Sequence, residues 1–213
     1  MKKSLKSGFA ALCALAALSL PMLAHGQESE HSDVACPVGL VSGMTLDAEF
    51  GDGASMLTRC IKTRDHVRLV VEINRYCRND DAAIDADGKC AGGADALGNM
   101  KNIIADYKTT YGMVPGRDYE IVAVVHGMGG RMLLNNTGPN PAFVNAYGDA
   151  VKAMMDEGVT FYFCQNTVRG FMHAGFIGAG DAVNEVIPGV KFVTAGFTAL
   201  SDFQSLGWTQ VTP

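Results

Sequence analysis

Four short apolar runs limit what this chain can fold into. HVRLVVEIN (66–74), YEIVAVVHG (119–127), VTFYFC (159–164) and VKFVTAG (190–196) are rich in β-branched and aromatic residues. Each has the length of a strand and is short for a helix. Their apolar residues run almost without interruption, the pattern of strands covered on both faces. Between them lie segments of helical period. Residues 94–111 carry Leu97, Met100, Ile103, Ile104 and Tyr107 at helical spacing and stop at Gly112 and Pro115. Residues 143–157 put Phe143, Val144, Tyr147, Val151, Met154 and Met155 on one face, closed by Gly158. TALSDFQSLGW (198–208) reads as a short last helix that Trp208 closes. This alternation predicts an α/β protein, a parallel sheet sandwiched by helices with right-handed crossovers. Such sheets bind ligands beyond the carboxyl ends of their strands. Three places follow: His126-Gly127, Cys164-Gln165-Asn166 and Ala195-Gly196.

The region before the first strand has a different character. Lys2, Lys3 and Lys6 precede an apolar run from Phe9 to Leu23, and Ala24 and Gly26 stand where a cleavage site needs small residues. Residues 1–26 therefore read as a secretory signal peptide, with a run too short for a membrane span. Residues 27–65 form an N-terminal extension, and 66–213 the α/β domain. Loss of the signal removes three lysines and no acid, moving the net charge from −5 to −8. An acidic chain without a basic stripe is a poor partner for nucleic acid and for anionic membrane surfaces.

Export makes disulfides expected. Cys36, Cys60, Cys77 and Cys90 cluster in loop-like sequence, while Cys164 stands apart. Four cysteines allow three connectivities. Cys77–Cys90 with Cys36–Cys60 is preferred because each pair closes a local loop. Zinc is the lesser alternative, since no C-x-x-C pair occurs. The acidic segment between Cys77 and Cys90 contains DADGK, but the preceding ligand position holds Ala83 and the closing Glu is missing, so it reads as a solvated loop. Gly127, Gly129 and Gly130 fit neither G-x-G-x-x-G nor a P-loop, so a tight turn is expected. Asn135-Asn136-Thr137 is a formal glycosylation sequon, discounted because the signal and the resemblance below suggest a bacterial source. The methionines are scattered or at helical spacing, which points to core packing rather than copper.

The strand-loop VVHG, the GV-x-FYFCQNT strand and the closing PGVKFVTAGFTALSDFQSLGW resemble the DsrE/DsrF-like family, over roughly residues 66–213. The resemblance implies a flavodoxin-like parallel α/β fold that often assembles into oligomers. In sulfur-oxidising relatives it implies a cysteine that carries sulfane sulfur as a persulfide, and Cys164 matches that position. The export signal and four further cysteines depart from the best-known members.

Two readings of Cys164 stand side by side. Free cysteine is among the most buried residue types and commonly acts as a small hydrophobe. A strand-end thiol near helix N–H groups and cations is instead a nucleophile. Asn166 and Thr167 are cap-type residues for whatever turn or short helix follows. Arg169 and His126 are candidate cations or donors beside the sulfur. His126 has a plainer alternative, a strand-terminal histidine bonding a neighbouring loop. The leading expectation is an exported sulfur carrier or sulfurtransferase-like protein. It would take sulfur from a donor and pass it to a partner thiol, as a homo-oligomer and with no cofactor or metal. A non-catalytic binding or assembly module and a thiol redox sensor are the alternatives. No Ser-His-Asp order, paired-carboxylate motif or C-x-x-C-H supports a hydrolase, glycosidase or cytochrome.

Overall fold

A computed structural model describes residues 66–78, 83–140 and 143–213. The proposed signal, the extension, Cys36 and Cys60 lie outside the described residues. Five parallel strands form one sheet: β1 (Val67–Ile73), β2 (Tyr119–Val125), β3 (Thr160–Cys164), β4 (Lys191–Val193) and β5 (Thr209–Val211). Their order is β4-β3-β2-β1-β5. Four helices connect them: α1 (Asp95–Ala105), α2 (Gly148–Asp156), α3 (Gln165–His173) and α4 (Gly196–Ser205). The α/β architecture read from the alternating pattern is the one observed.

Pleating divides the strand residues between two unlike faces. Val71, Ile73, Ala123, Val125, Phe161 and Phe163 point into a large core with Leu97 and Met100 of α1, Val151 of α2 and Val168 of α3. Their neighbours Val70, Val122 and Val124 turn the other way, against Ala199 and Leu200 of α4. Three helices thus cover one face, and α4 covers the other. Tyr162 and Val193, on the α4 face, are only partly buried. Register puts Cys164 opposite Val193, so its side chain belongs to this thinner face.

Boundaries depart from the sequence reading where side chains compete with the backbone. A helix was expected over 143–157, but α2 starts at Gly148. Asn145 is the reason. Its Oδ1 accepts from Tyr147 N–H at 2.9 Å, and its Nδ2 donates to Met132 and Leu134 carbonyls at 2.8 and 2.6 Å. A buried asparagine turn of this kind replaces the first helical turn. The tight turn expected after β2 is a 3-10 helix, Gly127–Leu133. The turn or short helix after Cys164 is a nine-residue α-helix. Strand β5 was not anticipated.

Cys77 and Cys90 are joined by a disulfide. Within the loop they close, Asp85 Oδ1 accepts from the N–H groups of Asp87 and Lys89 at 3.0 and 2.8 Å, the side-chain turn of a solvated loop.

The glycines after β2 answer to packing rather than to a nucleotide. A Cβ on Gly130 would lie 2.5 Å from Cε2 of Phe163, a fully buried ring. Gly130→Ala is expected to cost about 1–3 kcal/mol through overpacking. Denaturant unfolding checks this, and an unchanged midpoint would show that the ring yields freely.

Candidate functional site

Strand β3 delivers Cys164 to the carboxyl edge of the sheet, and α3 begins on the next residue. Cys164 is therefore the N-cap of α3, with extended backbone angles of −68° and 119°. Its side chain makes no capping hydrogen bond of the usual kind. Its Sγ instead accepts the Gly196 N–H, from the first residue of α4, at 3.3 Å. Two helix N-termini, α3 from its own strand and α4 from the opposite face, thus meet at one sulfur.

Burial pushes the Cys164 thiol up, and other groups outweigh it. The N–H groups of Thr167 and Gly196, the Thr167 hydroxyl and the Asn166 N–H favour the thiolate. The net result is a pKa below the ordinary 9.0. Thr167 also braces the neighbouring loop, since its Oγ1 accepts from Gly127 N–H at 3.0 Å. Cys164 is the free cysteine of the described residues and is 4 % exposed.

His126 enters the site from the end of β2. Its Nε2 donates to Oε1 of Glu72 at 3.0 Å, and its ring lies 4.9 Å from that of Phe197. It does not bond a neighbouring loop; its partner is a carboxylate on β1. It also fills the space beside Gly196, where a Cβ would stand 3.1 Å from the imidazole. The glycine that donates to the sulfur is thereby held against His126. Glu72 is buried at 8 % exposure. Its Oε2 accepts from Gln210 Nε2 at 2.9 Å and Thr212 Oγ1 at 3.1 Å. Three strand ends converge on one carboxylate.

The structure therefore brings Cys164, Thr167 and the Asn166 backbone together, with His126 one residue removed across Gly196. Arg169 goes elsewhere. Its Nη1 donates to Asn166 Oδ1 at 2.8 Å on the exposed side of α3, and the groups that favour the thiolate are N–H donors and a hydroxyl. Gly196 lies at one of the three strand ends singled out from sequence, whereas Glu72, Gln210 and Thr212 were missed. Glu72 left one signal, a lone acid in the middle of an apolar strand. Among the described residues, no group of three or more His, Cys, Asp or Glu side chains could hold a metal ion. None of the described helices is long and apolar enough to cross a membrane.

A thiol pKa lowered by the fold ties stability to pH. The contribution is fully present above the unfolded value near 9.0 and is lost as pH falls through the lowered folded value. The stability of wild type relative to Cys164→Ser should thus rise with pH across that window. Gly196→Ala, which pushes the donor away from the sulfur, should move the alkylation midpoint towards higher pH. A Gly196→Ala midpoint equal to that of wild type would remove the α4 N–H from the account.

Fold and site together define a small parallel α/β protein with a thiol at a strand–helix junction. Residues 93–213 match the model of the DsrE/DsrF-like family, and the chain belongs to that family. Among solved structures it is similar to a protein of unknown function, MTH1491, from Methanobacterium thermoautotrophicum. The two share 21% identity with a TM-score of 0.46, over 69% of this chain and 99% of that one. No curated protein matches the chain.

Proposed function

We propose that the protein is an exported sulfur carrier, with Cys164 as the atom that holds the cargo. The observation that carries this reading is the Cys164 sulfur itself, free, lowered in pKa and met by the N-termini of two helices. In the first step the Cys164 thiolate attacks the outer sulfur of a donor persulfide. One S–S bond forms, the donor's S–S bond breaks, and the donor leaves as a thiolate with the electron pair. An acceptor thiolate then attacks the outer sulfur, and Cys164 is the leaving group. No net oxidation occurs, so no redox cofactor is needed. The Gly196, Thr167 and Asn166 N–H groups favour the negative sulfur at both ends of the cycle. Incubation with a low-molecular-weight persulfide, followed by intact-mass measurement, tests the reading.

Two further parts of the proposal have their own support. The Cys77–Cys90 disulfide suits an oxidising compartment. A homo-oligomer suits the α4 side of the sheet, since Phe197 on that helix and Leu206 at its C-terminal end are 72% and 63% exposed. Sedimentation at micromolar concentration is expected to give a species larger than a monomer, and monomer alone would refute the assembly.

A further inference from the structure

Arg131 is a charged group that the sulfur chemistry does not use. It sits on the 3-10 helix beyond β2, on the side of the sheet away from Cys164. Its guanidinium carbon lies 4.6 Å from the centroid of Phe143, 4.8 Å from Tyr76 and 5.6 Å from Phe176. Three rings therefore hold the charge by cation–π attraction. They leave its Nε without a hydrogen-bond partner. Phe143 and Phe176 carry no acceptor, and the Tyr76 hydroxyl, which donates to the Gly88 carbonyl at 2.8 Å, takes no hydrogen bond from Arg131 Nε. A guanidinium has five N–H donors. Among the described residues no carboxylate or carbonyl takes any of them, and Nε is fully buried without a partner. Burial lowers its pKa. By contrast Arg78 and Arg117 each have an aspartate, at 3.1 and 2.7 Å.

The surroundings are those of neither a freely solvated arginine nor one paired with an acid. A solvated arginine would not bury its Nε, and most buried polar groups have a hydrogen-bond partner. Arg131 is half-buried, so solvent still reaches part of the side chain. The missing element is negative, small and rich in acceptors.

We propose that Arg131, fixed in its cage of Tyr76, Phe143 and Phe176, is a binding site for an oxyanion. Sulfate, phosphate and carboxylate groups all match the planar fork of a guanidinium. The rings orient that fork in advance, so little side-chain entropy remains to be lost on binding. The site lies on the opposite face from Cys164 and stands or falls independently of the sulfur-carrier reading.

The test follows the Arg131 Nε–Hε resonance of the full chain by NMR, in wild type and in Cys164→Ser. Sulfate, phosphate and acetate are titrated separately at millimolar concentration, with chloride at matched ionic strength. At least one oxyanion is expected to shift the resonance saturably, and chloride is not. The one that saturates lowest identifies a tetrahedral or a planar ligand. Arg131→Lys keeps the charge and loses the fork, and should weaken binding at least ~10-fold. The preferred anion should raise the thermal midpoint of wild type by roughly 5 °C near saturation, and that of Arg131→Lys by much less. General salting effects would raise both alike. A resonance that none of the three anions moves, or that chloride moves equally, would overturn the site. That readout needs no variant, so poor folding of Arg131→Lys leaves the proposal testable.

Discussion

Incubated with an excess of a small persulfide donor, the wild-type protein is expected to gain the mass of one sulfur atom, and Cys164→Ser to gain none. The contrast should be all or nothing. Cys77 and Cys90 are tied in a disulfide and offer no thiolate, and Cys36 and Cys60 are expected to be tied in a second. Attack requires thiolate, and Cys164 has the lowered pKa. Serine is close to cysteine in size, so the variant should keep its fold, while its hydroxyl is no nucleophile towards sulfur at neutral pH. Cys164→Ala should behave in the same way. Because Cys164 is 4 % exposed, small donors and small alkylating agents should react well ahead of bulky ones. A wild-type protein that takes up no sulfur and resists alkylation until unfolded would make Cys164 a packing residue. An assembly module would then be the better description.

The second large effect concerns stability. Glu72→Ala should destabilise the domain by about 3 kcal/mol. The substitution leaves His126 Nε2, Gln210 Nε2 and Thr212 Oγ1 without their shared acceptor, and removing a buried carboxylate that takes three hydrogen bonds from partly buried groups costs more than one ordinary hydrogen bond. The thermal midpoint should fall by roughly 6–12 °C. Glu72→Gln, which keeps one acceptor oxygen, should cost less. A Glu72→Ala midpoint within experimental scatter of wild type would mean that water replaces the carboxylate at no cost.

Much of this fold was legible because it rests on local pattern. The long strands and α1 announce themselves through apolar periodicity, which burial enforces. The unread parts are those that periodicity does not touch. Strand β5 spans three residues, too few to show a period. Helix α3 has a cysteine as its N-cap in place of Ser, Thr or Asp, and buries only Val168 and Phe171. The start of α2 is decided by one asparagine whose partners lie 11 and 13 residues away.

The site divides along the same line. Cys164 could be found because a strand visibly ends there. Asn166 and Thr167 could be placed because they follow it directly. Arg169 was expected near the sulfur on proximity in sequence, but on a helix that starts at Gln165 it reaches Asn166, three residues back, and stays on the surface. Gly196 could be placed at a strand end, but the meeting of Glu72 with His126, Gln210 and Thr212 depends on register between strands far apart in the chain. Register of that kind is set by the whole sheet and not by any short stretch.

The wiring of Glu72 also governs when the crevice comes into being. Two of its three partners lie 138 and 140 residues further along the chain. Contacts so distant in sequence form late and slowly, since a long loop must close before they return any energy. A chain interrupted before Gln210 can build the core of α1, α2 and α3, yet its Glu72 lacks both donors from β5 and its neighbour. His126 and the donor glycine it braces then rest on an unfinished support. The support behind His126 and Gly196 is thus complete only once the last strand is paired.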